Sequence, residues 1–292
     1  MKKDILRFYD RQYKKLLIVP FILLILALGV IGYTYLATGD FVNKGVSLKG
    51  GSTITLTKVV DLPSLEKELR TSFPGADISV RSLTSAGKTV GVAIDSDAQD
   101  NQEIKSLTNL LESKFSLKKG DYGVEVMGSS LGKSFFKQTI IALFIAFLLM
   151  GIVVFIYFRT LAPSLAVMLA AFSDLVVTLA IFNLTGMKLS TAGIAAFLML
   201  IGYSVDTDVL LSTRVLKRKE GTVMERVLGA MKTGLVMSVT TLTAISVALI
   251  FVKSEVIGQI MIILLIGLLV DIVMTYIQNV GILRLYLEKK KK

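Results

Sequence analysis

The stretch Leu189–Leu211, LSTAGIAAFLMLIGYSVDTDVLL, runs for 23 residues and carries no charge until Asp206 and Asp208. A helix needs roughly 20 apolar residues to cross a hydrocarbon core about 30 Å thick. An aspartate in such a helix costs about 2.5–3.5 kcal/mol on insertion scales, and it faces a bundle interior or a water-filled path rather than lipid. This one stretch raises two questions: how many such helices the chain holds, and what its carboxylates do.

Five further apolar runs answer the first question: Leu16–Leu36, Thr139–Phe158, Leu161–Phe182, Thr233–Val252 and Val256–Leu283. The chain of 292 residues is 53% hydrophobic and only 19% charged, unlike the roughly 25% charged residues of soluble domains. Six long runs in so short a chain read as membrane spans, not as the buried helices of a soluble core. The first is too long for a signal-peptide core and no convincing cleavage site follows it, so it reads as a retained span.

The net charge of +11 suggests nucleic acid only until its distribution is read. Eighteen Lys and Arg lie in the short flanks on one side of the spans, against two, Lys188 and Lys253, on the other. Such clusters act as topology signals and headgroup contacts, and they place both termini in the cytoplasm. The chain then divides into a cytoplasmic N-terminus (1–15), helix 1 (16–36), an external α+β domain (37–137), helices 2–6 (138–283) and a basic cytoplasmic tail (284–292).

The external segment carries its own strand and helix periodicities. Ser52–Lys58, Asp77–Leu83, Thr89–Ile94 and Tyr122–Met127 read as strands. Asp61–Phe73 and Asp100–Phe115 read as helices, the first capped by Asp61 or Ser64 and stopped at Pro74-Gly75. The order β-α-β-β-α-β is the ferredoxin-like arrangement, with a turn at Ser85-Ala86-Gly87. The fold class is thus an α-helical polytopic membrane protein of six transmembrane helices, with a ferredoxin-like α+β external domain between helices 1 and 2. Gly45, Gly50 and Gly51 stand where the chain passes from span to domain, and Gly50-Gly51 lacks the following helix of a phosphate cradle.

The chain contains neither Cys nor His, which excludes thiolate chemistry, disulfides and His-based triads. No nucleotide-binding loop or metal-ligand spacing appears, so no cofactor, no metal and no enzyme activity are expected. Proton chemistry falls to carboxylates, and the candidates are Asp174 in the third run, Asp206 and Asp208 in the fourth, and Asp271 in the sixth. The rise of 1.5 Å per residue puts Asp174 roughly 20 Å from the cytoplasmic end and the Asp206–Asp208 pair roughly 5–10 Å from it, with Asp271 somewhat deeper than the pair. At 100° per residue Asp206 and Asp208 project about 200° apart, so only one can line a shared path. Gly202 shares a face with Asp206 and permits close helix approach. This favours Asp206 as the proton carrier, with Asp208 held near the helix end by Arg214 or Lys217.

Several of these residues carry a resemblance. Ile201-Gly202-Tyr203-Ser204-Val205-Asp206-Thr207-Asp208, followed by Arg214, resembles the Gly-Tyr-Ser-x-Asn-Asp-(Ser/Thr) motif of the SecF branch of the SecD/SecF protein-export family, within the resistance–nodulation–division superfamily. Gly45-Val46-Ser47-Leu48-Lys49-Gly50-Gly51 is similar to the family's Gly-x-Asp-Phe-x-Gly-Gly, with Ser47 and Leu48 substituted. Ser173-Asp174 matches its His-Asp pair without the His, Gly128–Gly132 resembles the approach to the second span, and Ser238–Leu242 its Ser-x-Thr-Thr-Leu. In register the family's Asp falls on Thr207, with an Asp on either side, and Asp271 stands where many relatives have Gly; these departures suggest an archaeal-type variant.

The resemblance implies an accessory subunit of the Sec machinery that promotes export, coupled to the proton gradient. Its partners would be a SecD-like subunit, the Sec translocon channel, exported polypeptides and membrane lipid, without nucleic acid. Two alternatives stand beside this reading: a proton-coupled exporter of small molecules or lipids, and a purely structural assembly subunit.

Overall fold

The computed structural model describes residues 9, 12–85, 88–117, 120–217, 220–252 and 255–291. Ala86 and Gly87 of the expected turn, and Lys253 of the expected charge pattern, lie outside the described residues. Among the described residues, six helices are long and apolar enough to cross a membrane. The chain is a multi-pass membrane protein.

Helix α1 (Ile18–Thr38) ends on Gly39, whose left-handed φ of 78° lets its N–H close onto the Tyr35 carbonyl. A single turn, α2 (Val46–Lys49), leads into the α+β domain. The domain comprises β1 (Gly51–Leu56), α3 (Leu62–Ser72), β2 (Ser79–Ser85), β3 (Lys88–Ser96), α4 (Asn101–Phe115) and β4 (Tyr122–Met127). Its strands pair antiparallel in the order β2-β3-β1-β4, which is the ferredoxin-like order. Ile54, Leu56, Val92 and Ile94 of the sheet meet Leu65, Leu69, Leu107 and Leu111 of the two helices in one apolar core. Each such side chain, fully buried, contributes about 1.5–3 kcal/mol. The capping expectation is corrected in one detail: Asp61 occupies the N-cap position of α3 without bonding the helix backbone, and accepts instead from the Ser64 hydroxyl.

Glycine is required where the domain meets the bundle. Gly50 has φ of 91°, and a Cβ there would stand 2.5 Å from the Ser129 backbone. A Cβ on Gly132 would stand 2.8 Å from the Gly50 nitrogen. The end of the entry turn and the first helical turn after the domain, Ser129–Gly132, therefore meet at backbone contact distance, a separation only Gly allows.

Five more helical segments follow: α5 (Ser129–Phe158), α6 (Leu161–Leu184), α7 (Thr191–Lys217), α8 (Val223–Phe251) and α9 (Glu255–Val273). A π turn, Met274–Asn279, then joins α9 to α10 (Val280–Lys291). The sixth apolar run is thus one long helix with a π turn inside it. Helices α6 and α7 form the centre and are more than half buried along their apolar length, whereas α5 and α8 are mostly exposed. Helix α9 packs on α6, α7 and α8, and α1 packs on α6. The poorly buried helices turn rows of Leu, Ile, Val and Phe outward, such as Phe144, Leu148 and Ile152 of α5, as lipid-facing helices do. Helix α8 starts on a capping box in which Thr222 and Glu225 satisfy each other's backbone N–H groups.

Candidate functional site

The central helices bury polar side chains at one level of the bundle. Asp174 on α6 and Asp208 on α7 have no exposed surface, and Asp271 on α9 is 1% exposed. Each is held by a neighbouring helix. The Ser204 hydroxyl of α7 donates to Asp174 Oδ2. The Thr207 hydroxyl lies 3.2 Å from both oxygens of Asp271, and the Thr275 hydroxyl 3.1 Å from Oδ1. Asn279 donates its Nδ2 to Asp208 Oδ1 at 2.8 Å. Ser204 and Thr207, three residues apart on α7, thus tie Asp174 and Asp271 to the helix that carries Asp208. Among the described residues, Asp174 Oδ1 and Asp208 Oδ2 have no hydrogen-bond partner. Among the described residues, no three acidic side chains are arranged to hold a metal ion.

The local sequence explains the placement. Ser204, Thr207, Asp208, Leu211 and Ser212 recur at helical spacing and make the buried face of α7. Their mates come from the π turn, where Thr275, Gln278 and Asn279 are all fully buried. Gln278 bonds the Ser173 hydroxyl at 3.1 Å, and Asn279 reaches Ser212 at 3.4 Å. A π turn inserts a residue into the helical ladder and often marks a functional site. Here it turns Gln278 and Asn279, consecutive in sequence, toward partners on two different helices, α6 and α7. Tyr276 also comes from this turn, and Gly234 of α8 makes room for it: a Cβ on Gly234 would lie 2.0 Å from the Tyr276 hydroxyl.

Asp206 does not join the cluster. It is exposed, on the face of α7 that also carries Gly202, which has nothing within 4 Å of a Cβ position. The roughly 200° separation of the two aspartates is realised, with Asp208 inward and Asp206 outward. The expected anchoring of Asp208 by Arg214 or Lys217 is not made. Arg214 bonds the Gly229 carbonyl at 2.9 Å and the Thr233 hydroxyl at 2.8 Å, and Lys217 sits 3.6 Å above the Tyr157 ring. The physical reason is direction: both cations face the start of α8 and the end of α5, on other sides of the helix from Asp208.

The expected difference in depth also changes. Helix α7 continues past Leu211 to Lys217, so Asp208 lies well inside the span. Ser204, which holds Asp174, is one turn from Asp208, about 6 Å along the axis. Tyr203 sits 3.3 Å from Ser238 of α8. Gly45 donates its backbone N–H to the Leu189 carbonyl at 2.8 Å.

Ser212, Thr275, Gln278 and Asn279 are site residues that the sequence does not single out, while Ser173 and Thr207 enter only as motif positions. The signal is present in the last run: beyond Gln259 and Asp271, three more polar side chains, Thr275, Gln278 and Asn279, gather near its end.

Comparison with known proteins converges on one family. The profile described as "Protein export membrane protein SecD/SecF, C-terminal" matches residues 106–289. A protein-export membrane protein SecF of Pyrococcus furiosus is 40% identical over 296 residues, spanning 100% of this chain and 97% of its own length. The chain belongs to the SecF protein-export membrane family. A SecF of Methanothermobacter thermautotrophicus is likewise 40% identical over 285 residues, covering 95% of this chain and 94% of its own. The crystal structure of SecDF, a translocon-associated membrane protein from a Thermus species, superposes with a TM-score of 0.71 at 21% identity. That match covers 98% of this chain and 41% of the SecDF chain, and it establishes the shared fold.

Proposed function

We propose that this SecF-family subunit helps drive protein export with a SecD-like partner, and that Asp174, Asp208 and Asp271 together carry the protons that power it. The observation behind this reading is the cluster itself: three carboxyl groups on three helices, sealed from the bundle surface and each gripped by a hydroxyl or amide of a neighbour. A proton crossing 100 mV releases about 2.3 kcal/mol. A change in protonation alters which hydroxyls and amides the three carboxyls can hold, and so biases how α6, α7 and α9 pack. Asp174 Oδ1 and Asp208 Oδ2, without a partner among the described residues, are the oxygens left free to take a proton.

Asp271 takes the part that the family motif gives to an Asp in the fourth span. That motif position is Thr207 here, and the Thr207 hydroxyl bonds Asp271. The Asp271 carboxylate thus lies within hydrogen-bond reach of the motif position, from the facing helix.

Asp206, with the open surface at Gly202, faces the partner. An ionisable group on the outer face of a span is too costly to leave in lipid, so a partner helix covers it. In this reading the termini lie in the cytoplasm and the α+β domain outside, which the excess of flanking Lys and Arg supports. The further partners are the translocon channel, exported polypeptides and lipid, not nucleic acid. The subunit works without a cofactor and catalyses no bond chemistry. Gly45, Gly50 and Gly51 fix how the domain leaves the membrane, while Tyr203, Ser204 and Arg214 hold α7 to α8 and α6.

The test is potential-dependent export in membrane vesicles carrying Asp174→Asn, Asp208→Asn or Asp271→Asn. Loss in each, with normal expression and partner assembly, supports the reading. Normal export in all three returns the chain to a purely structural role.

A further inference from the structure

The turn between α6 and α7, Thr185–Ser190, touches two parts of the molecule at once. On the membrane side, Gln259 of α9 donates its Nε2 to the Lys188 carbonyl at 2.7 Å, and its Oε1 accepts from the Ser190 backbone at 3.0 Å and from the Ser190 hydroxyl at 2.5 Å. Gln259 is 7% exposed, and Gly193 leaves it room: a Cβ there would stand 2.7 Å from Gln259 Oε1. On the domain side, the Lys188 ammonium donates to Asp77, just ahead of β2. Lys49 stands 3.7 Å from the other oxygen of Asp77, and Asp97 holds the Asp77 backbone N–H at 2.9 Å.

The linker beside this turn is tied in a different way. Gly45 N–H bonds the Leu189 carbonyl at 2.8 Å, Leu189 N–H bonds the Asn43 carbonyl at 2.6 Å, and Asn183 bonds the Phe41 carbonyl at 2.9 Å. Val42 and Leu48 are fully buried against Leu189 and Phe182. Main-chain bonds and buried apolar contacts make this a fixed pivot. The Lys188–Asp77 pair is half-exposed, and an ion pair so placed is weak and easily parted.

We propose that Lys188 and Asp77 form a releasable latch that holds the α+β domain down on the α6–α7 turn, with Gln259 as the positioning residue that ties the latch to α9. The turn joins the helices that carry Asp174 and Asp208, and Gln259 lies twelve residues from Asp271 on the third, about 18 Å along the axis. A shift of α9 against α6 and α7 moves the Lys188 carbonyl and with it the ammonium that grips the domain. The domain then swings about the pivot at residues 41–49. This inference rests on the role in export but not on the identity of the coupling ion.

The chain has no Cys, so introduced thiols are unique labels. Spin labels at Thr71→Cys on α3 and Val247→Cys on α8, both exposed, report the domain-to-bundle distance in the full chain reconstituted with its partner. The latched protein gives one narrow distance distribution. Lys188→Glu broadens and shifts it, and adding Asp77→Lys restores it; Gln259→Leu broadens it with Lys188 intact. Lys188→Gln replaces the reversal if that variant fails to accumulate. Separately, Asp77→Cys and Lys188→Cys bridged by a reducible bifunctional thiol reagent lose export, and reduction returns it. An unchanged distribution in Lys188→Glu and Lys188→Gln overturns the latch, and normal export through the closed bridge overturns its release. The distance readout involves no proton transfer, so failure of the latch is distinguished from failure of the carboxylate reading.

Discussion

Asp206 and Asp208 are two residues apart on one helix and lie in opposite environments. Asp208 is fully buried and bonded to Asn279, whereas Asp206 is exposed beside the open surface at Gly202. The difference follows from the helical period alone. Between them Thr207, which falls on the motif Asp by register, bonds a carboxylate from another helix. The inward face builds a carboxyl cluster within one chain, and the proposed reading gives the outward face to a second chain.

The sharpest way to break this contrast is to neutralise one side at a time. Asp208→Asn is expected to cut potential-dependent export by about 10²-fold, the scale of a removed proton-transfer group. Asp206→Asn is expected to leave the folded chain intact and instead weaken recovery of the SecD-like partner in mild detergent. Copurification and vesicle export, measured on both variants, check the pair. If Asp206→Asn stops export with the partner still bound, the roles are reversed.

A second effect concerns packing beside the cluster. Gly234→Ala puts a methyl into the Tyr276 hydroxyl and is expected to destabilise the bundle by about 1–3 kcal/mol, as overpacking does. Gly202→Ala meets open space and is expected to leave the single chain's stability unchanged. Thermal unfolding in detergent compares the two faces directly, and equal losses would contradict the assignment of Gly202 to an open face.

Orientation gives a test by labelling. A thiol at Thr71 is expected to react with an impermeant reagent from outside the cell, and one at Glu220 only after permeabilisation. The reverse pattern would invert the proposed topology.

The smallest expected effect is on pH. Burial raises the Asp77 carboxyl, but the hydrogen bond and charge of Lys188, with the charges of Lys49 and Arg70, outweigh it and hold the group below its ordinary value of 3.8. A lowered carboxylate stabilises its contacts above that ordinary value and loses them as pH falls through the lowered one. The domain-to-bundle distance is therefore expected to be constant from neutral pH down to about 5 and to change only in strong acid. A transition near neutral pH would assign the contact to a different group.

Much of this was legible in the residues. Periodicity of two and of 3.6 in 51–127 gave the order of a ferredoxin-like domain, since each element there buries one regular face. Apolar length gave the spans, because a bilayer demands it. The opposite facing of Asp206 and Asp208 followed from angle alone.

The cluster did not follow, for three physical reasons. Thr207 and Asp271 are 64 residues apart and meet only through the packing of α7 on α9. The π turn shifts Gln278 and Asn279 off the regular helical register, so a period of 3.6 misplaces them. Depth was counted from the end of the apolar run, while α7 continues to Lys217 with its last polar turn still helical. Arg214 and Lys217 are near Asp208 along the chain, but their partners lie around the helix on α8 and α5.

The central claim is that Asp174, Asp208 and Asp271 work as one unit. Its most direct test is proton uptake driven by an imposed potential in liposomes holding the chain and its SecD-like partner, comparing each single Asp→Asn variant with the Asp174→Asn/Asp271→Asn double variant. Groups that act as a unit are not additive. The account predicts that each single variant abolishes uptake and that the double variant is no worse than either single. Independent, multiplying losses, or uptake that survives all three single replacements, would contradict it.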